Sequence, residues 1–316
     1  MVRIFAVIRC RSVLFLALTA CSAKAPAPSA PPPPSPPPAQ ANASATPAPE
    51  PAKAEQPAPA GRPCGALDCL AFDTPEQAFA HVLQQKPRVL AIGEAHAQQR
   101  DPKVHSATRR FGESLLPKLK GQATDIVIEL MIGSGRCGKE REQAVAERQK
   151  PVTEAQAKPN QNEFVTLGHA AKSLGIQPHP LQPACADYQA VLDAGENDIA
   201  RLLQLIADTT ARAIENLLDA PGADDSKLLL TYGGARHNDV TPRPQMEAWS
   251  FGPRLSQRTK GRYVELDLIV PEFIKDNEAW RALPWYEHYD AQRFAKETLL
   301  FHPEPASYVL IFPRTL

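Results

Sequence analysis

Apolar residues recur along this chain with two different periods, and each period predicts an element. Arg88–Gly93 (RVLAIG) and Asp125–Leu130 (DIVIEL) are short, β-branched apolar runs that read as buried strands. Lys227–Tyr232 (KLLLTY), Arg262–Val270 (RYVELDLIV) and Tyr308–Phe312 read the same way. A helical period is clearest over Asn197–Leu218, where Ile199, Leu202, Leu203, Ile206, Ile214, Leu217 and Leu218 share one stripe. A second helix is predicted to start at Thr74, whose hydroxyl can cap it, with Pro75 in the first turn and Gln77 at a capping-box position, and to run to Gln85. Others are predicted over Pro102–Lys118, with Phe111, Leu115, Leu116 and Leu119 on one face, over Lys139–Lys158 with a break near Pro151, and over Glu163–Leu174. Strands separated by helical segments predict an α/β domain, a mostly parallel sheet with helices on both faces.

Before Cys64 the pattern changes character. Met1–Arg11 carries Arg3, Arg9 and Arg11 without an acid, and Ser12–Ala20 (SVLFLALTA) is an apolar core too short to remain as a spanning helix, so residues 1–20 read as a secretory signal. Its end, Leu18-Thr19-Ala20-Cys21, looks like a bacterial lipobox, in which cleavage leaves Cys21 to carry acyl chains. Residues 21–63 are Pro and Ala with a few polar residues, and lack the apolar side chains that would offset the entropy of ordering. They read as a disordered tether; at about 3.1 Å per residue, roughly forty residues reach on the order of 100 Å from a membrane. Residues 64–316 then form one domain of ordinary size. The expected location is extracytoplasmic and lipid-anchored, in the outer membrane because Ser22 does not resemble an inner-membrane retention signal.

Charge and cysteine count narrow the partners. Thirty-five basic and 35 acidic residues cancel, so nothing in the charge suggests a nucleic-acid binder, which needs a basic surface. Of six cysteines, Cys10 leaves with the signal and Cys21 is lipidated. Cys64, Cys69, Cys137 and Cys185 remain, an even number that predicts two disulfides with three possible pairings. Proximity favours Cys64 with Cys69, which leaves Cys137 with Cys185.

One stretch imitates a nucleotide site. IELMIGSGRCGKE, Ile128 to Glu140, follows a strand and carries Gly133 and Gly138-Lys139 at P-loop spacing. A working P-loop has a hydroxyl after the lysine to hold magnesium; Glu140 puts a negative charge there instead. The stretch is read as a glycine-rich loop held by a disulfide.

The candidate chemistry lies at strand ends. One strand closes on Gly93-Glu94-Ala95-His96, a second on Glu129, and a third on Gly233-Gly234-Ala235-Arg236-His237 with Asp239 beyond. The carboxyl ends of parallel strands converge on one crevice, so two imidazoles and a carboxylate can meet there. Such a set suits zinc, manganese or iron, with Glu94 as general base and Arg236 facing a developing oxyanion. Glu265 and Asp267 share a face of their strand, either on the crevice floor or in solvent. Trp280, Trp285 and Tyr286 either line a lid or fill the end of the core, while His81, His169, His179, His288 and His302 show no partnered spacing and are assigned to surface or packing.

The two G-x-x-H motifs, Gly93 to His96 and Gly234 to His237, flanking the strand-terminal Glu129, resemble those of the Tiki superfamily, which groups Tiki and TraB metalloprotease-like proteins, erythromycin esterases and ChaN-like haem-binding lipoproteins. LAIGEAH followed by His105 is most similar to the ChaN-like branch. The Tiki-like resemblance implies a metal-dependent hydrolase with His96, Glu129 and His237 as ligands, acting on a peptide, ester or amide bond. The esterase-like one implies acid–base work by Glu94 and His96 without metal. The ChaN-like one implies exchangeable haem, with Tyr232 or a histidine such as His105 as axial ligand. Three readings follow: a hydrolase, a haem or metal-cofactor binding protein without turnover, and a surface module with a vestigial site. The expected partners are the membrane, through Cys21, and a small-molecule or peptide ligand.

Overall fold

A computed structural model describes residues 60–96, 103–133, 135–153, 156 and 160–315. The expected signal segment, Cys21 and the tether up to residue 59 lie outside the described residues. Within them the strands are β1 (Arg62–Pro63), β2 (Leu70–Phe72), β3 (Val89–Glu94), β4 (Ala123–Met131), β5 (Gln177–Leu181), β6 (Leu228–Gly234), β7 (Tyr263–Ile269), β8 (Thr298–Glu304) and β9 (Ser307–Ile311). They form one sheet in the order β1-β2-β8-β9-β7-β3-β6-β4-β5. From β9 to β5 every neighbouring pair is parallel, and β1, β2 and β8 extend the sheet antiparallel at one edge. The helices are α1 (Pro75–Leu83), α2 (Ala107–Arg110), α3 (Lys139–Thr153), α4 (Asn160–Ser173), α5 (Cys185–Leu192), α6 (Asp198–Leu218), α7 (Gly252–Arg258) and α8 (Glu278–Arg281).

Alternation along the central strands builds two cores. Leu90 and Ile92 of β3 face Phe79 of α1, Phe111 and Leu115 after α2, and Phe164 and Leu167 of α4 in one cluster. Val89 and Ala91 face the other way, with Ile206 and Ile214 of α6 and Leu255 of α7. A strand buried on both faces reads as a continuous apolar run, which is why these strands were visible in the sequence. Thr74 caps α1 as expected, accepting from the Gln77 amide at 3.3 Å, and the Gln77 side chain accepts in turn from the Asp73 amide at 3.1 Å.

β1, β2, β8, α5, α7 and α8 were not anticipated, and three further elements differ from expectation. The helix predicted over Pro102–Lys118 is α2 followed by a π-helical turn, Phe111–Leu115, and a 3-10 turn, Leu116–Leu119, yet Phe111, Leu115, Leu116 and Leu119 are all buried as the apolar stripe requires. The helix expected to break near Pro151 runs just past it, to Thr153. β5, with Pro178 and Pro180, was not anticipated; it pairs only with β4, at the sheet edge, where a proline's missing N–H need not cost a ladder bond. Both expected disulfides are formed, Cys64–Cys69 beside β2 and Cys137–Cys185 between the glycine-rich loop and α5.

Candidate functional site

The parallel register aligns the strand ends that carry polar residues. Glu94 of β3 lies opposite Gly234 of β6, Gly93 opposite both Gly233 and Asp267 of β7, and Ile128 of β4 opposite Tyr232. Glu94 is 2% exposed. A carboxylate buried without partners is costly, and three groups offset that cost here: His96 Nδ1 at 2.9 Å from Oε1, and Thr108 Oγ1 at 2.7 Å and the Tyr232 hydroxyl at 2.8 Å, both donating to Oε2. Burial pushes the Glu94 carboxyl up, but His96 and the two hydroxyls outweigh it and hold the carboxyl below its ordinary value. Burial likewise pushes His96 down, and the neighbouring Glu94 and Glu129 charges more than restore it, so His96 is raised.

Glu129 and His237 complete the arrangement. The Gly234 amide donates to Glu129 Oε2 at 2.6 Å, and Glu129 Oε1 is 3.9 Å from His237 Nε2. His237, 5% exposed, has Nδ1 at 2.7 Å from the Trp249 carbonyl oxygen. A carbonyl only accepts, so Nδ1 carries a proton, which in a neutral ring leaves the lone pair on Nε2. The meeting point is marked by Gly234: a β-carbon there would lie 3.1 Å from His96 Nε2, 3.6 Å from Glu129 Oε2 and 3.7 Å from His237 Cδ2. The absence of a side chain leaves the space that the three groups border, their donor atoms not all within 4.8 Å of one another. At Gly233 the requirement is stricter, since a β-carbon would lie 2.4 Å from Glu129 Oε2.

These groups open onto a cavity of about 430 Å³ lined by Glu94, His96, Glu129, Arg236 and His237, the five residues expected to carry catalysis or metal. Its remaining walls include Asp239, Arg243 and Asp267 on the polar side and Leu202, Ile206, Leu283, Trp280 and Trp285 on the apolar side. Arg236 is exposed, its guanidinium 6.0 Å over the Trp249 ring. His105 and Tyr232 are not brought to this cavity. The His105 side chain is 42% exposed and faces Glu113 at 3.8 Å, while Tyr232 is 1% exposed, stacked on Phe111 at 5.1 Å, with its hydroxyl spent on Glu94.

Several partners escaped sequence reading. Thr108 is one helical residue among many, and the Trp249 contribution is a backbone carbonyl, which no side-chain pattern reports. Glu265 and Asp267 prove to lie on an interior strand rather than in solvent. With Asp239 they offer carboxylate oxygens all within 4.8 Å of one another, the one set of three imidazole, thiol or carboxylate groups that close among the described residues. Glu265 accepts from the Val240 amide at 2.7 Å and from Ser307 Oγ at 3.0 Å, and Asp267 accepts from Asn238 Nδ2 at 3.0 Å. Burial raises Asp239 to about 6; burial, then the acidic neighbours, raises Asp267 to about 8 and Glu265 well above the ordinary carboxyl range. In the glycine-rich loop the amides of Gly135 and Cys137 donate to the carboxylate of Glu142, at 2.9 and 3.3 Å.

The class this defines is an α/β domain with an imidazole–carboxylate cluster at the carboxyl ends of parallel strands. No family model matches the chain, and no curated protein matches it. Among solved structures, it is similar to the type III effector HopBA1, at 13% identity over 83% of this chain and 100% of that one, with a TM-score of 0.36. It is similar to a mutant of the erythromycin esterase EreC in its open conformation, at 10% identity over 81% and 97% with a TM-score of 0.40, and to ChaN of Campylobacter jejuni, a structure of cofacial heme binding, at 13% over 74% and 91% with a TM-score of 0.34. The erythromycin esterase and ChaN are also named in the resemblance that the G-x-x-H motifs carry.

Proposed function

We propose that the chain is an extracytoplasmic, metal-dependent hydrolase acting on a peptide, ester or amide bond, with His96, Glu129 and His237 holding a divalent zinc, manganese or iron ion. The observation that carries this reading is how the imidazoles are held. Each is fixed through Nδ1, His96 by Glu94 and His237 by the Trp249 carbonyl, and each turns its far edge toward the spot at Gly234. Metal-bound histidines are oriented by this kind of outer hydrogen bond, which fixes the tautomer and raises ligand basicity. Two imidazoles and a carboxylate suit a borderline divalent ion.

When bound, such an ion would lower the pKa of a coordinated water and polarise a carbonyl. The residues of the chain have separate parts. Glu94 has both oxygens occupied and its carboxyl held low, so in this reading it positions His96 and gives up the base role expected of it. Asp239 lines the same cavity with a carboxyl raised to about 6, close to what a proton acceptor near neutral pH requires. Arg236 faces the negative charge that develops on the substrate oxygen. The Trp280, Trp285 and Leu283 wall receives an apolar part of the substrate.

That same wall favours a second reading, a binder of haem or another flat cofactor without turnover, in which His96 or His237 is the ligand because Tyr232 is sealed beneath Glu94. Membrane attachment through an acylated Cys21, in the outer membrane, belongs to both readings, and the two disulfides support an oxidising compartment. Elemental analysis of the whole chain separates the readings. The hydrolase requires metal that is lost in His96→Ala and His237→Ala together with cleavage of chromogenic ester and peptide substrates. Saturable Soret absorption in metal-stripped protein supports the binder, and metal content unmoved by both substitutions overturns the assigned ligands.

A further inference from the structure

A second pocket, of about 420 Å³, shares no lining residue with the first. Asp68, His81, His302 and Tyr308 all line it. The sequence assigns both histidines to surface or packing, His81 as a helix residue and His302 for want of a partnered spacing. The fold joins them: His81 comes from α1, His302 from β8, and Asp68 from the loop that Cys64–Cys69 closes between β1 and β2.

The placement of each group is specific. The His302 ring lies flat on Tyr308, with centroids 4.5 Å apart and planes 10° from parallel, and its Nδ1 is 3.9 Å from Asp68 Oδ2. Burial, and then the charge on His302, opposes protonation of His81. Leu67 and Asp68 both sit in the left-handed region, φ 56° and 46°, which a non-glycine residue adopts only when its surroundings impose it. What imposes it is the disulfide and the His302 amide, which donates to the Leu67 carbonyl at 2.9 Å. The loop is thereby pinned to β8 with Asp68 beside His302.

We propose that this pocket binds a divalent transition-metal ion, zinc or copper in character, through His81, His302 and Asp68. The donor set is two imidazoles and a carboxylate, the borderline chemistry that selects such ions over magnesium or calcium. The three donors are not within 4.8 Å of one another, so an ion held at roughly 2 Å from each has to draw them together. Asp68 is 89% exposed and His302 33%, so both have room to turn. The stacked Tyr308 limits the plane in which His302 can move, which narrows what the site must order on binding.

The test uses the whole chain carrying His96→Ala and His237→Ala, stripped by chelator and titrated with Zn²⁺ or Cu²⁺ alone. One equivalent is expected to bind, with affinity reduced at least about tenfold by His302→Gln or His81→Gln and less by Asp68→Asn. The Cu²⁺ paramagnetic resonance spectrum should show coupling to two nitrogens in the parent and one in either histidine variant. In the otherwise unaltered chain, His302→Gln should remove one equivalent of metal. Unchanged affinity and spectrum in the His81→Gln, His302→Gln double variant overturns the site, as does a parent with no saturable binding below millimolar metal.

Discussion

At the scale of single residues, the arrangement turns on which ring nitrogen carries a proton. Glu94 is acceptor-only while ionised, so it forces the His96 proton onto Nδ1 and leaves Nε2 to face Gly234. Glu94→Gln keeps the shape but turns an amide N–H toward Nδ1, which then has to accept, moving the ring proton to Nε2. The expected result is a loss of metal affinity of about 10–100-fold in a folded protein, with the tautomer read directly from the imidazole nitrogen shifts in NMR. An unchanged tautomer would remove Glu94 from the positioning role. Gly233 offers an independent check on crowding. An added methyl at 2.4 Å from the Glu129 oxygen has no room, so Gly233→Ala should cost about 1–3 kcal/mol in denaturant unfolding and displace Glu129. Gly112, whose β-carbon would meet nothing closer than 3.5 Å, should tolerate alanine far better.

At the scale of elements, β7 carries a pH dependence that its neighbours impose. Asp267 holds its proton up to about pH 8 in the fold, whereas an unfolded aspartate loses it near the ordinary value. Between those two values the unfolded chain binds fewer protons than the native one, so stability falls as pH rises and levels off above the folded value. Asp267→Asn removes that slope. The melting temperature of the parent should therefore decline more than that of the variant between pH 5 and 8, and equal declines would show that the carboxyl is not protonated in the fold. Glu265 should show the same sign, since its carboxyl is also raised and its burial is the leading cause. The elements also show how far a sequence reveals this fold. β3, β4, β6, β7 and β9 are legible because a strand covered on both faces must be apolar throughout. β5 is not, because Pro178 and Pro180 imitate a loop, and β1 and β2 are too short to show a period. His96 and His237 are legible as polar residues just after strand-terminal glycines, and Glu129 as a carboxylate in an otherwise apolar strand. Thr108 and the carbonyl of Trp249 are not, since a hydroxyl in a helix and a backbone oxygen leave no trace in the pattern; nor does the meeting of His81 and His302 at one pocket, which only the fold creates.

At the scale of the whole molecule, the cavity is walled by parts of unequal strength. One side is the sheet itself, with side chains buried in the main core. The other includes Gln149 and Thr153 of α3, a helix of sequence KEREQAVAERQKPVT in which Val145 is the buried side chain among those described. Val145 packs with Tyr188 and Val191 of α5 and Leu202 and Leu205 of α6 in a small separate cluster, and Cys137 borders it. One buried valine supplies about 1.5–3 kcal/mol, little to fix a helix of 15 residues. The Cys137–Cys185 bond spans a sequence separation of 48 residues, and closing a loop of that size restricts the unfolded chain by about 4 kcal/mol in the chain-entropy account. Beside the Arg148–Asp198 ion pair at 3.0 Å, the disulfide is a covalent restraint on this wall, which ties the cavity to the redox state of its compartment. Replacing both cysteines with serine should lower stability by about 2–4 kcal/mol and, by hydrogen exchange, loosen residues 139–153 well before the amides of β3 and β6. Reducing agent should reproduce that pattern in the unaltered chain. Uniform loosening of sheet and helix together would mean that α3 is held by its packing after all, and that the wall and the sheet melt as one unit.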